Sequence, residues 1–389
     1  MTALLDRTEF SDINKVFLLL GPACNMSCRH CSQTPVKMCD IKQKKLSSDC
    51  IKFLDNYVTY AISVKKKHSI IFWGGEPLLH WNFIHDTVIR FYQKFNFAEH
   101  HYFPFSLVTN GLLLTDEMIS FFNEYHVGIS FSYDVPYPFA VRGKVSDEVC
   151  EKVKNLKYLT TMSTFNALNY DYILALDCIR KKFPDAKHNF NFALLHTFAM
   201  PEDVYRYDFD KVKTALRKLR IYAMQGDIDA AKMIYNLVWP LSKPSSENAK
   251  FYKRHQQWFN DFGIKPCFPC SSGLSVDLEG RIMSCHNSLR NIATIEDDLD
   301  TIQDSLVTVY KKNKSSECVT CEHNDICMGI CSSSVKDEDG NYMACKEFRK
   351  EFFTCVKKEF SLMKKPLSKE ELEWFNEERK KDYEFLKNF

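Results

Sequence analysis

"VFLLLGPACNMSCRHC", residues 16 to 31, decides how the rest of the chain is read. The apolar run from Val16 to Leu20 reads as a strand, Gly21-Pro22 breaks it, and Cys24, Cys28 and Cys31 follow at once. The same i, i+4, i+7 spacing would place three thiols on one face of a helix, as a buried stripe. Their position directly after a strand favours a loop, at the strand ends where parallel α/β folds keep their chemistry. Tetrahedral zinc takes four ligands, and disulfides take cysteines in pairs. Three thiolates suit a metal centre with one open position, such as a [4Fe–4S] cluster with a free fourth iron.

Further strand-like runs lie at Ser69–Trp73, Phe105–Thr109, Val127–Ser132, Tyr158–Ser163 and Asn189–Leu194. Helical patterns separate them. Ser47 can cap one in which Ile51, Leu54, Val58 and Ile62 share a face; others cover Asn82–Phe95, Asp116–Tyr125 behind Thr115, Asp147–Leu156 and Tyr170–Phe183. Six strands alternating with helices predict a parallel sheet of βα units. A closed eight-unit barrel takes about 250 residues, so six units here predict an α/β fold of the partial (β/α)6 TIM-like barrel type.

From residue 202 to 258 the pattern turns helical with Lys- and Arg-rich faces, broken by a Pro/Ser loop from Pro240 to Asn248. Between Cys267 and Cys355 stand nine of the 16 cysteines, with little strand or helix periodicity. A thiol-rich segment with a meagre core is expected to be a small, irregular α+β unit held by metal. Ser368 and Glu371 form a capping box ahead of Leu372, Phe375, Tyr383 and Leu386. The expected division is a barrel over 1–201, a helical bridge over 202–265, a cysteine-rich domain over 266–356 and a C-terminal helix over 357–389.

The 389 residues allow two or three domains. With 52 basic and 50 acidic side chains the net charge is +2, which points to neither nucleic acid nor membrane. No run approaches the ~20 apolar residues of a membrane span. Val16–Leu20 is too short for the core of a secretory leader and follows Asp6, Arg7, Glu9 and Asp12. The expected compartment is therefore cytoplasmic, where thiols stay reduced and serve metals or catalysis. The 31 Phe and 18 Tyr suit deep pockets or a peptide groove, or simply a Phe-rich core.

Other strand ends also carry polar groups. "FWGGEP", residues 72–77, pairs Gly74 and Gly75, which allow close backbone approach to a ligand, with Glu76, a carboxylate for an ammonium group. "TNG" ends the third strand with Asn110. "ISFSYDVP" presents Ser132 and Asp134, and Arg142 follows, able to take a carboxylate bidentately.

The chain resembles the radical SAM enzymes. Cys24-x3-Cys28-x2-Cys31, with His30 before the last cysteine, is similar to that family's defining motif, and Gly74-Gly75-Glu76-Pro77 to its motif for the methionine amino group of S-adenosylmethionine. The resemblance implies a cluster on Cys24, Cys28 and Cys31 whose open iron is chelated by the cofactor. Reductive cleavage would then give a 5′-deoxyadenosyl radical that abstracts a hydrogen. By family pattern Ser132 and Arg142 contact the cofactor's carboxylate, and Asn110 lies near its ribose.

The C-terminal thiols by themselves also read as zinc sites, with Cys267-x2-Cys270 and Cys318-x2-Cys321 making a four-thiolate ribbon. Cys270-x9-Gly280-x4-Cys285, then Cys318-x2-Cys321-x5-Cys327-x3-Cys331 and Cys345, resembles the seven-cysteine SPASM extension of peptide- and protein-modifying radical enzymes. That resemblance implies two auxiliary [4Fe–4S] clusters. Cys267 (as an eighth ligand), Cys270, Cys285 and Cys331 would hold the nearer, and Cys318, Cys321, Cys327 and Cys345 the farther. Cys39, Cys50, Cys150, Cys178 and Cys355 fall outside the pattern and read as buried or incidental thiols.

Sulfatase-maturing members of the family, which make formylglycine, carry an aspartate base directly after the second SPASM cysteine. This chain has His286 there, which counts against that activity. His286 reads equally as a hydrogen-bond donor to a cluster ligand or as neutral. The favoured expectation is an oxidoreductase that matures a ribosomally made precursor peptide, by a thioether, C–C or C–O crosslink or by epimerisation. The alternatives are a formylglycine-forming enzyme, a small-molecule radical dehydrogenase and a zinc-held binding protein. With 23 residues before the triplet, a leader peptide would be held by a separate recognition protein or by the bridge helices. A flavodoxin- or ferredoxin-type protein would supply electrons.

Overall fold

The computed structural model describes residues 2–11, 13–31, 45–65, 68–95, 105–135, 142–143, 145–192, 204, 206–238, 273–287, 290–312, 321–323 and 348–388. The Pro240 to Asn248 loop and Cys39, Cys267, Cys270, Cys318, Cys327, Cys331 and Cys345 lie outside the described residues.

The six expected strands form. They are β1 (Lys15–Leu19), β2 (Ser69–Trp73), β3 (Phe105–Thr109), β4 (Gly128–Ser132), β5 (Leu159–Phe165) and β6 (Lys187–Phe192), each parallel to the next. Between them run α1 (Ser48–Val64), α2 (Trp81–Phe95), α3 (Asp116–Glu124), α4 (Asp147–Val153) and α5 (Tyr172–Lys182). The last strand begins two residues before the expected Asn189–Leu194. Lys187 and His188 lack the apolar character that marks a strand, but they complete the ladder opposite Thr160 and Thr161.

Local chemistry sets the helix starts. The side chains of Ser47, Thr115, Ser146 and Asp171 accept the N–H of Cys50, Met118, Val149 and Leu174, three residues on. The helices then bury one stripe, in α1 that of Phe53, Leu54, Tyr57, Val58 and Ala61, against a single core. Cys50, Cys150, Cys178 and Cys355 are buried there. Burial pushes the Cys50 and Cys178 thiols up to about 12, as suits packing rather than reaction.

The sheet does not stop at six strands. β7 (Gly273–Asp277) lies parallel to β1 on its other side, from Lys15 opposite Gly273 to Leu19 opposite Asp277. β8 (Arg281–Met283) and β9 (Asn291–Thr294) follow antiparallel, giving the order β6-β5-β4-β3-β2-β1-β7-β8-β9. The segment that reads as lacking periodicity therefore holds three strands and the helix α8 (Leu299–Lys312). Those strands span three to five residues, too few for an alternation to register.

Beyond the sheet, α6 (Phe209–Met224) and α7 (Ile228–Val238) realise the expected helical character of the bridge, and α9 (Phe348–Ser361) and α10 (Lys369–Asn388) end the chain. The capping box of α10 is present. Glu371 N–H donates to Ser368 Oγ at 3.2 Å, and Ser368 N–H donates to Glu371 Oε2 at 3.1 Å. Buried ion pairs dock α10 on α5 and α6. Lys218, 2% exposed, lies 3.1 Å from Asp171 and 2.7 Å from Asp382. Arg379 pairs with Asp177 and Asp382. Among the described residues no helix is long and apolar enough to cross a membrane.

Candidate active site

The cysteine loop is fastened to the end of β2 by backbone hydrogen bonds. Leu20 N–H donates to Trp73 O, Gly75 N–H to Gly21 O and Glu76 N–H to Ala23 O, at 2.7, 3.0 and 2.8 Å. The glycine pair exists for this approach. A Cβ on Gly74 would stand 2.5 Å from Gly21 O, and one on Gly75 2.2 Å from Ala23 O and 2.4 Å from Pro22 O. The expected close approach was to a ligand; the atoms these glycines approach here are the backbone of the cysteine loop.

Glu76, 1% exposed, accepts three hydrogen bonds. Its Oε1 accepts from Leu78 N–H at 3.0 Å and Thr109 Oγ1 at 2.8 Å, and its Oε2 accepts from Asn110 N–H at 2.8 Å. Burial pushes its carboxyl up, and the three hydrogen bonds and Arg142 offset that only in part. Asn110 is fixed in turn, its Nδ2 donating to Asn25 Oδ1 at 2.7 Å and its Oδ1 accepting from Leu112 N–H at 3.0 Å. Thr109 and Asn25 are two site residues that the sequence did not single out. Both sit inside quoted motifs, but nothing in their spacing marks them as braces.

Beyond β4, Asp134 is wholly buried. Its Oδ1 accepts Thr164 N–H at 2.8 Å and its Oδ2 accepts Arg142 Nε at 2.9 Å. Arg142 reaches back to the triplet, with Nη1 3.7 Å from Cys28 Sγ and Nη2 3.3 Å from His30 Nε2. Arginine has only donors, so His30 accepts at Nε2. Burial raises the Asp134 carboxyl, but the Arg142 charge above all, with the hydrogen bonds from Thr164 and Arg142, outweighs it and holds the carboxyl below its usual range. Burial works against the Arg142 charge, yet Asp134 and Cys28 keep the guanidinium protonated.

These groups meet in one cavity of about 190 Å³ across the C-terminal strand ends. Cys24, Cys28 and Cys31 line it together with His30, Gly74, Gly75, Glu76, Asn110, Ser132 and Arg142, which is every expected catalytic and cofactor residue of the N-terminal half. Met162, Thr164 and Asn191 extend it over β5 and β6, and Asn287 enters from the β8–β9 connection. Among the described residues no three His, Cys, Asp or Glu side chains converge closely enough for a single metal ion. Three thiols around a cavity fit a cube of irons, in which each thiolate takes its own metal.

Of the eight thiols expected on the auxiliary clusters, Cys285 and Cys321 are described. Cys285 is buried just past β8, with Asn287 N–H donating to its Sγ at 3.4 Å. His286 stacks on Phe17 of β1, ring centroids 4.4 Å apart, and meets Trp73 edge-on at 4.5 Å.

Residues 18–168, from β1 through β5, match the model of the radical SAM superfamily. This chain carries a radical SAM domain. A domain of this kind implies S-adenosylmethionine and a [4Fe–4S] cluster as cofactors. The chain is similar to the radical SAM cyclopropyl synthase TigE of Paramaledivibacter caminithermalis, 23% identical over 87% of this chain and 72% of that protein. It is also similar to the serine-type anaerobic sulfatase-maturating enzyme of Klebsiella aerogenes, 30% identical over 30% of this chain and 28% of that one. In fold it is similar to anSMEcpe, solved with bound AdoMet and the Cp18Cys peptide, with a TM-score of 0.58 at 16% identity over 90% of this chain and 99% of that one. Streptococcus suis SuiB bound to the precursor peptide SuiA gives 0.52 at 14% identity, over 86% of this chain and 76% of that one.

Proposed function

We propose that this radical SAM enzyme matures a ribosomally made peptide, using one catalytic and two auxiliary [4Fe–4S] clusters. The observation that carries the reading is the shared cavity of Cys24, Cys28 and Cys31 with Glu76, Asn110, Ser132 and Arg142. When bound, the cluster and S-adenosylmethionine supply a 5′-deoxyadenosyl radical able to abstract an unactivated hydrogen. The protein's part is placement. Glu76, Asn110, Ser132 and Arg142 orient the cofactor, Trp73 and Met162 keep water from the cavity, and Thr164, Asn191 and Asn287 offer polar contacts on its far side.

The auxiliary assignment is what the resemblance to the SPASM extension implies, with Cys267, Cys270, Cys285 and Cys331 on one cluster and Cys318, Cys321, Cys327 and Cys345 on the other. The peptide substrate is supported by relatives solved with peptides bound, anSMEcpe with Cp18Cys and SuiB with SuiA. A crosslink or an epimerisation is the outcome we expect, with a flavodoxin- or ferredoxin-type protein as electron donor.

Iron, sulfide and zinc per chain after anaerobic purification, with a 5′-deoxyadenosine assay on the same sample, test this reading. About twelve irons per chain with reductant-dependent 5′-deoxyadenosine is the expected result. About four irons with stoichiometric zinc would reassign the C-terminal thiols to a structural zinc module. No iron after reconstitution would overturn the reading. Replacing Cys24, Cys28 and Cys31 by Ala should abolish 5′-deoxyadenosine while leaving the remaining iron.

A further inference from the structure

We propose that Asp134 is a positioning residue that holds the Arg142 guanidinium in one orientation against Cys28 and His30, so that a fixed positive charge stands beside one sulfur of the triplet. The proposal rests on the reading of Cys28 as a cluster ligand. Asp134 has no solvent exposure, and its two oxygens are divided between two tasks. Oδ1 is anchored on the backbone of β5, where Thr164 N–H donates at 2.8 Å, and this sets the plane of the carboxylate. Oδ2 takes Nε of Arg142 at 2.9 Å.

An arginine gripped at Nε has its planar head oriented and its two terminal nitrogens left over. Here those nitrogens face the cysteine loop, Nη1 towards Cys28 Sγ at 3.7 Å and Nη2 towards His30 Nε2 at 3.3 Å. The Cys28 thiol also lies 3.8 Å from the carbonyl oxygen of Arg142, so the two residues meet through side chain and backbone alike. Cluster potentials respond to net charge and to hydrogen bonds at the sulfurs. A cation held at a ligating sulfur favours the reduced state. Asp134 itself, as a negative charge, would act in the opposite sense if it worked only through space. That opposition makes its role separable.

The experiment is a potentiometric titration, followed by electron paramagnetic resonance, of the iron-loaded full chain. It reads the midpoint of the signal that the variant with Cys24, Cys28 and Cys31 replaced by Ala lacks, which singles out the catalytic cluster without relying on Arg142 to bind S-adenosylmethionine. Asp134→Asn keeps an acceptor for Thr164 N–H but releases Arg142, and should lower the midpoint. In an Arg142→Gln background the same substitution should not lower it. Arg142→Lys, which keeps the charge without the fork, should lower it as well, and it decides the matter if Asp134→Asn does not fold. The proposal is overturned if Asp134→Asn shifts the midpoint equally in both backgrounds, or if Arg142→Lys keeps the wild-type value. Absence from the wild type of any signal that the triple variant lacks would overturn the functional reading and this proposal with it.

Discussion

Glu76 Oε2 accepts the N–H of Asn110 at 2.8 Å, while Oε1 accepts from Leu78 and Thr109. One carboxylate thus joins the loops after β2 and β3. Glutamine cannot replace it, because its NH2 would oppose the N–H of Asn110 or of Leu78 whichever way the amide turns. Glu76→Gln should therefore cost about 1–3 kcal/mol, the penalty for an unmatched buried polar group. Urea denaturation measures this, and unchanged stability would refute the bracing role.

Gly75→Ala tests the fastening of the cysteine loop. The added methyl would stand 2.2 Å from Ala23 O, and backbone cannot yield as a flexible side chain can. A loss of about 1–3 kcal/mol is expected from the forced displacement. Iron content should fall with it, since the displaced loop carries the triplet. Full iron at wild-type stability would show that the two strand ends can separate without consequence.

Acid should act through Asp55. Burial raises its carboxyl, but bonds from Arg90, at 2.9 and 2.8 Å, and from Lys94, at 2.6 Å, outweigh burial and hold it below the usual range. A carboxyl whose folded value is lowered stabilises the fold fully above its unfolded value, roughly pH 4, and loses that contribution as pH falls through the folded value. The stability difference between the wild type and Asp55→Asn should be constant near neutrality and shrink below about pH 4. A difference that stays flat into acid would remove Asp55 from the account.

Lys218→Met keeps the volume of the side chain and removes its charge. Asp171 and Asp382 would then lose the lysine that lies 3.1 and 2.7 Å from them. Breaking a buried ion pair from one side costs about 3–5 kcal/mol. Denaturation of Lys218→Met, with faster proteolysis of α10, checks the prediction. Adding Asp382→Asn should recover part of the loss.

The N-terminal half was legible because each βα unit repeats the same signals. Apolar runs of five or six residues, capping Ser or Thr side chains and polar groups at strand ends all agree, and β2 and β3 fall on their expected bounds. The triplet and Glu76 were legible for the same reason, as chemistry appended to recognisable strands. Asp134 and Arg142 were visible as residues, but their pairing was not, because separation along the sequence does not say which side chains meet. β7 was hidden for a different reason. "GLSVD" is short and contains Ser275 and a terminal aspartate, and its strand character comes from the partner it finds in β1.

That partnership has a consequence for the order of assembly. β1, which leads into the cysteine loop, acquires its second neighbour only about 260 residues later in synthesis. Until β7 emerges, β1 is an open edge with unpaired backbone groups, the kind of edge that invites wrong pairing. Delivery of iron before that moment would meet a loop rooted on an unfinished strand. The translation of residues 273–277 is therefore the earliest point at which the triplet stands on its completed scaffold, and a chain cut short before it should expose the triplet without supporting it.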